Sequence, residues 1–225
     1  MSISIFGDSV MKGVVLDGRK YRLNTPDRKA LEAENGLAVN NHCRFGATTS
    51  NGLTILRSSI RKEGLPAYTL LAFGDSDCDY LWADIADAPD GKYSCRTTIA
   101  DFEAKYTAMI REIRANGSEP ILVTLPPISA ERYLDWRCEK DHLDRARLIS
   151  RLGDVNAIYR RQERYSRCIE SLAEKNGCRL IDLRTAFLDN PHSLPELLCA
   201  DGVHPNHAGQ QVIYHEIGRY LALSA

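Results

Sequence analysis

Residues 99–125 read IADFEAKYTAMIREIRANGSEPILVTL. In the first part Ile99, Phe102, Tyr106, Met109, Ile110 and Ile113 recur at three- and four-residue spacings, which is one apolar face of a helix. Thr98 and Asp101, three apart, have the form of its capping box, so a helix is expected between Cys95 and Asn116. Asn116-Gly117 follows, then the apolar run Ile121 to Leu125. That run is too short for a helix and lacks polar alternation, as a strand buried on both faces does. Asn-Gly also marks tight hairpins, but between a helix and an apolar run it reads as a helix C-cap.

The same punctuation recurs. Asn35-Gly36 precedes Leu37 to Val39, and Asn176-Gly177 precedes Leu180-Ile181. With Ile3 to Phe6 and Thr69 to Phe73 these make five short strands. Helix, cap and strand in repetition predict parallel strands joined by crossover helices, hence an α/β sandwich. Pro205-Asn206 opens a last helix whose Val212, Ile213, Ile217 and Leu221 are expected to face inward. No linker, low-complexity tract or internal repeat divides the 225 residues, so a single domain over 1–225 is expected.

Composition narrows the partners. Lys and Arg total 29 against 30 Asp and Glu, a net charge of −1. No basic excess exists to draw the chain onto nucleic acid or anionic lipid. No run of apolar residues is long enough for a membrane span. The seven cysteines are scattered and form no C-x-x-C pair, so reduced thiols and a cytoplasmic location are expected. The oligomeric state is not legible.

Ligands of open parallel sheets bind beyond the carboxyl ends of the strands. Four polar segments are expected there: Gly7-Asp8-Ser9, Asn41 to Gly46, Gly74-Asp75-Ser76-Asp77, and Asp201-Gly202-Val203-His204. Together they hold a serine, a histidine, a carboxylate and amide donors. Ser9 needs a base to become a nucleophile, His204 can take and return its proton near neutral pH, and Asp201 can reach back to the ring Nδ1. Gly7 is expected to permit a sharp turn with positive φ, and Gly46 to present its N–H to a developing oxyanion. Asp8, Asn41, Gly74 and Asp77 are read as residues that shape these loops.

These segments resemble the blocks of the GDSL, or SGNH, hydrolase family, in order and across nearly the whole chain. Phe6-Gly7-Asp8-Ser9 is similar to the first block, with Val10 where leucine is commonest; Asn41 to Gly46 to the second; Asp201 to Asn206 to the fifth. The resemblance implies a flavodoxin-like three-layer α/β/α fold with a five-stranded parallel sheet. It implies hydrolysis of carboxylic esters through an acyl-serine intermediate, with no metal or organic cofactor. The third block departs: where the family has Gly-x-Asn-Asp, this chain has Ser76 in the place of the asparagine that completes the oxyanion hole. The expected oxyanion donors are the N–H groups of Ser9 and Gly46, with Ser76 as a conditional third. Asp75 beside it would repel an oxyanion if its carboxylate pointed inward. The substrate remains open among a small acyl ester, an O-acetylated carbohydrate and a lysophospholipid. A ligand-binding protein with weakened hydrolysis, or an acyltransferase using the same serine, stands as the alternative.

Phe73 to Ser76 repeats the Phe-Gly-Asp-Ser of the first block, but residues 70 to 82 align with the third, so Ser9 is the expected nucleophile. Asp75, Asp77 and Asp79 lack the glycine and glutamate of a calcium loop. His204 and His207 lack further ligands for a metal. Tyr80, Trp82, Tyr133 and Trp136 read equally as cleft wall or as core, and Asp141 to Arg151 reads as a solvated helical face or a lid.

Overall fold

The computed structural model describes residues 2–24, 29, 32, 33, 36–87 and 95–222. Its strands are β1 (Ser2–Gly7), β2 (Val14–Asp17), β3 (Lys20–Leu23), β4 (Ala38–Asn41), β5 (Tyr68–Ala72), β6 (Glu119–Val123) and β7 (Arg179–Ile181). The helices, in chain order, are α1 (Ser9–Lys12), α2 (Thr49–Glu63), α3 (Asp75–Cys78), α4 (Trp82–Asp87), α5 (Ile99–Ala115), α6 (Ala130–Asp141), α7 (Arg145–Leu152), α8 (Asn156–Asn176), α9 (Leu183–Leu188), α10 (Leu194–Leu197) and α11 (His207–Ala222).

Side chains alternate across the central strands, and both sets are apolar. Ile3, Ile5, Leu70, Ala72, Ile121 and Val123 enter one core with Ile213, Ile217 and Leu221 of α11. Phe6, Leu71 and Leu122 enter the other with residues of α2, α5 and α8. A sheet buried on both faces in this way must be covered by helices on both sides, giving three layers. Strands β4-β1-β5-β6-β7 pair in parallel in that order, the doubly wound flavodoxin-like order. The expected five-stranded α/β sandwich is the observed one. The two edge strands depart from the both-faces-buried pattern: the residues of β4 are exposed or half-buried, and in β7 only Ile181 is fully buried.

The caps explain the connections. Thr98 accepts from the Asp101 N–H at the start of α5. Gly117 and Gly177 take positive φ after α5 and α8 and lead into β6 and β7. At the third Asn-Gly, Gly36 has φ 56°, while Asn35 lies outside the described residues. In α11, Ile213, Ile217 and Leu221 are buried and Val212 is half-buried.

One element was not expected. Strands β2 and β3 form an antiparallel hairpin, with Asp17 opposite Lys20 and Gly18-Arg19 as its two-residue loop. Gly18 has φ 61°, and Arg19 is not in the left-handed region; this is the type II′ pattern with glycine first. Among the described residues no helix is long and apolar enough to cross a membrane. All seven cysteines are free thiols.

Candidate active site

Chain order reverses between β1 and β5, with β4 on one side and β5 on the other. A crevice opens at such a switch point, and Ser9 starts α1 there, directly after β1. Asp8 caps this helix by accepting from the Val10 N–H at 3.1 Å. Gly7 serves differently from the expectation. It is the last residue of β1, outside the positive-φ set. A Cβ there would lie 2.6 Å from the Ala72 carbonyl oxygen and crowd Cys43 and Met11. Close strand approach, and not turn geometry, demands the glycine.

Asp201 and His204 lie in a tight loop between α10 and α11, two short helices beyond the last strand rather than directly after it. The Leu198–Pro205 bridge and the Cys199 N–H to His204 carbonyl bond of 2.8 Å close it. Gly202 turns the chain at φ 71°, and a Cβ there would meet the Ser129 carbonyl at 2.7 Å. Within the loop the Asp201 carboxylate accepts from the N–H groups of Val203 and His204 at 3.1 and 3.0 Å. Its Oδ2 lies 2.6 Å from His204 Nδ1, and His204 Nε2 lies 2.9 Å from Ser9 Oγ. Three residues spanning almost the whole chain thus form one continuous hydrogen-bonded line. Burial alone would raise the Asp201 carboxyl, but the His204 hydrogen bond and charge and the two N–H donors outweigh it and hold it below the ordinary value.

A fourth residue joins that line. Tyr21, on β3 of the hairpin, donates its hydroxyl to Asp201 Oδ2 at 3.1 Å, and its ring lies 4.9 Å from the His204 ring. Burial and the Asp201 charge push the Tyr21 phenol up, so it remains a donor. The two residues are 180 positions apart. The hairpin signal Asp17-Gly18 was present in the sequence, but nothing in it aimed Tyr21 at Asp201.

The second block supplies an amide. Gly46 has φ 68°, and a Cβ there would meet nothing within 4 Å, so backbone conformation and not space calls for glycine. Among the described residues the N–H groups of Ser9 and Gly46 donate to no protein acceptor. Asn41 fixes the loop: its Oδ1 accepts from the Cys43 N–H and its Nδ2 donates to the Met11 carbonyl, both at 3.0 Å. From the other side Arg96 donates to the Gly46 carbonyl at 3.0 Å. Asp77 fastens the third block to the second, accepting from the Thr49 N–H at 3.0 Å and the Thr49 hydroxyl at 2.7 Å. Gly74, with φ 152° and Leu125 packed against it, turns the chain from β5 into α3.

Ser76 lines the cleft. Its N–H points to Asp8 Oδ2 at 3.4 Å, and among the described residues its hydroxyl has no protein partner. Asp75 also reaches the cleft wall, where its Oδ1 accepts from Gln162 at 3.0 Å. Burial, against the Gln162 hydrogen bond and the Arg184 charge, pushes Asp75 up to about 6. Burial and the neighbouring Asp75 push Asp8 up to about 8.

The cleft measures about 150 Å³ and is bounded by Ser9, His204, Tyr21, Phe45, Tyr133 and Trp136, with Arg96, Arg137 and Lys140 among its further walls. Of the four aromatic residues weighed from sequence, Tyr133 and Trp136 line it with Ser9. Tyr80 and Trp82 are buried in an apolar cluster with Ile85, Leu134 and Leu148. The Asp141 to Arg151 stretch has the contacts of a packed helix: Leu148 of α7 is buried in that cluster, and Arg145 pairs with Glu131 and Asp135 of α6. His207 is the exposed first residue of α11.

Solved structures that share the fold include a lipase/acylhydrolase from Enterococcus faecalis (22% identity, TM-score 0.67, covering 99% of this chain and 96% of that one). A GDSL-like lipase from Bacteroides thetaiotaomicron has 15% identity and TM-score 0.67, covering 100% of this chain and 89% of that one. A mutant of an acetyl-xylooligosaccharide esterase from Geobacillus has 19% identity and TM-score 0.62, covering 97% and 92%. No curated protein matches in sequence. The profile of the GDSL-like lipase/acylhydrolase family matches residues 5–212, and the chain belongs to that family.

Proposed function

We propose that the protein hydrolyses carboxylic esters through an acyl-serine intermediate, with Ser9 as nucleophile, His204 as general base and acid, and Asp201 orienting the imidazole. The reading rests on the unbroken Ser9–His204–Asp201 line, at 2.9 and 2.6 Å. His204 Nε2 takes the Ser9 Oγ proton as Oγ attacks the ester carbonyl carbon. Negative charge gathers on the former carbonyl oxygen, where the unpaired N–H groups of Ser9 and Gly46 receive it. Asp201 steadies the imidazolium. Collapse expels the alcohol, which takes the proton from His204 and leaves the acyl group on Ser9. Water, deprotonated by His204, repeats the attack and releases the acid. Every proton in the cycle has a donor and an acceptor among these residues.

A cleft of about 150 Å³ suits a short acyl group better than a fatty chain, which favours a small acyl ester or an O-acetylated carbohydrate over a lysophospholipid. The intact line to Ser9 also weighs against a binding protein whose hydrolysis has decayed. A fluorophosphonate probe tests the reading: the wild type is labelled and cleaves p-nitrophenyl acetate, and Ser9→Ala loses both. Labelling or hydrolysis that survives in Ser9→Ala overturns the assignment.

A further inference from the structure

One face of α6 is given over to the cleft. Tyr133, Trp136, Arg137 and Lys140 stand at i, i+3, i+4 and i+7, a single stripe of a helix, and all four line the space in front of Ser9 and His204. Across from them are Tyr21 and Phe45. The Tyr21 ring lies 5.1 Å from Phe45 and meets Trp136 edge-on at 6.4 Å. Phe45 is parallel to the His204 ring at 6.0 Å yet 53% exposed, far more than an aromatic packed for stability alone. The rings pack against one another and present an aromatic wall to the cleft, on which a further ring can stack.

The cleft is rimmed with positive charge. Lys140 Nζ stands 5.9 Å from the Tyr21 ring centroid. Among the described residues neither Lys140 nor Arg96 has a carboxylate in ion-pair range. The adjacent acids are engaged elsewhere: Glu139 pairs with Arg19, and Asp141 pairs with Arg137 at 2.7 Å. Even so, the buried Nε of Arg137 finds no hydrogen-bond acceptor among the described residues, and a buried unpaired donor is costly. The carboxylates that reach the cleft are held by other donors. Asp79 accepts from Trp82 Nε1 at 2.8 Å and from the Tyr133 hydroxyl at 2.7 Å, Asp75 accepts from Gln162, and Asp201 accepts from His204.

From this arrangement we infer that the preferred substrate is an ester whose ring-bearing part carries one negative charge, a carboxylate on an aromatic or sugar ring. This inference rests on the ester-hydrolase reading above. The ring stacks on the wall formed by Tyr21, Phe45 and Trp136, and the carboxylate meets the rim made by Lys140 and Arg96. The cleft lining carries three cations and three carboxylates, but the carboxylates are held by donors of their own. Lys140 and Arg96 have no ion-pair partner among the described residues, so the mouth can receive a single added charge and not a polyanion. A net charge of −1 for the whole chain conceals this separation of charge, because the acids are engaged by donors of their own and the exposed bases lie at the mouth.

The test compares isosteric pairs, benzoate against benzamide and glucuronate against glucose. Each is measured as an inhibitor of p-nitrophenyl acetate hydrolysis and, independently of turnover, by direct titration onto wild-type protein. At least one acid is expected to bind about fivefold to tenfold tighter than its neutral partner at low salt, with the advantage shrinking in 0.5 M NaCl. The pair that shows the preference identifies the ring. Lys140→Met and Arg96→Gln are each expected to cut the acid-to-neutral ratio by about twofold to fivefold. Equal binding in both pairs, or a preference unchanged in the double variant, overturns the inference. Because titration needs no catalysis, loss of the hydrolase reading through Ser9→Ala is distinguishable from loss of this one.

Discussion

Asp201 and Asp8 are the same residue type at the same depth, each 1% exposed, on two loops that meet at Ser9. Their carboxyls nevertheless move in opposite directions, Asp201 downward and Asp8 up to about 8. Donors and neighbours separate them. Asp201 accepts from two backbone N–H groups, His204 Nδ1 and the Tyr21 hydroxyl. Asp8 accepts from only two N–H groups, one of them at 3.4 Å, and faces the charges of Asp75 and Asp77. Burial raises both; what each carboxylate is given in exchange for water decides the outcome. One loop is built to keep a charge, the other to keep a proton.

The largest break in this contrast is Asp201→Asn. It retains the shape but loses the charge that stabilises the imidazolium, and kcat is expected to fall by about 10⁴-fold. A fall below tenfold in a p-nitrophenyl acetate assay would remove Asp201 from its role. Ser76→Asn acts beside the other carboxyl, on the α3 turn whose N–H points to Asp8. An amide added beside Ser9 and Gly46 is expected to raise kcat by about tenfold to a hundredfold with little change in KM; unchanged turnover would show that position 76 does not face the oxyanion.

Tyr21→Phe is gentler. It removes one donor from the Asp201 oxygen that His204 also uses, leaving more charge there to favour the imidazolium. The acid limb of kcat/KM should shift to higher pH, with a loss of about threefold to tenfold near neutrality. A pH profile that superimposes on wild type would reduce Tyr21 to packing. The last effect is on stability. Between about pH 4 and pH 8 the folded chain holds a proton on Asp8 that the unfolded chain has lost. The unfolded state therefore binds fewer protons, and stability falls as pH rises through that window. Urea midpoints at pH 5, 7 and 9 should show this decline, and Asp8→Asn, which cannot ionise, should flatten it. Asp201 works in the reverse sense, contributing stability that is lost only as pH falls through its depressed value.

Much of this was legible along the chain, and the reasons are physical. The strand runs and caps depend on neighbours within a few residues, so Asn116-Gly117 and Asn176-Gly177 announced their strands. Ser9 could be placed because β1 delivers its loop to the edge of the sheet, whereas Asp201 and His204, two short helices beyond β7, were expected directly after a strand. Side-chain partners distant in sequence escaped the reading. Tyr21 reaches Asp201 across 180 positions, and Trp82 and Tyr133 look alike in the sequence although one is core and the other cleft wall. Gly7 was singled out for a positive φ that it does not have, and the positive φ of Gly46 was not foreseen. A glycine can be required by backbone conformation or by a neighbour's approach, and only the folded chain separates the two.

The hairpin β2–β3 pairs only with itself, and a two-stranded ribbon has little stability of its own. It is held through contacts such as the Leu16 N–H on Cys199 Sγ at 3.3 Å and Tyr21 on Asp201. Its amides should therefore exchange with deuterium ahead of those in β1 and β5, through openings that leave the sheet intact. Each such opening strips Asp201 of its phenol and unroofs the imidazole while Ser9 stays in place. The residence time of a surface ribbon thus sets the fraction of molecules whose line of four is complete.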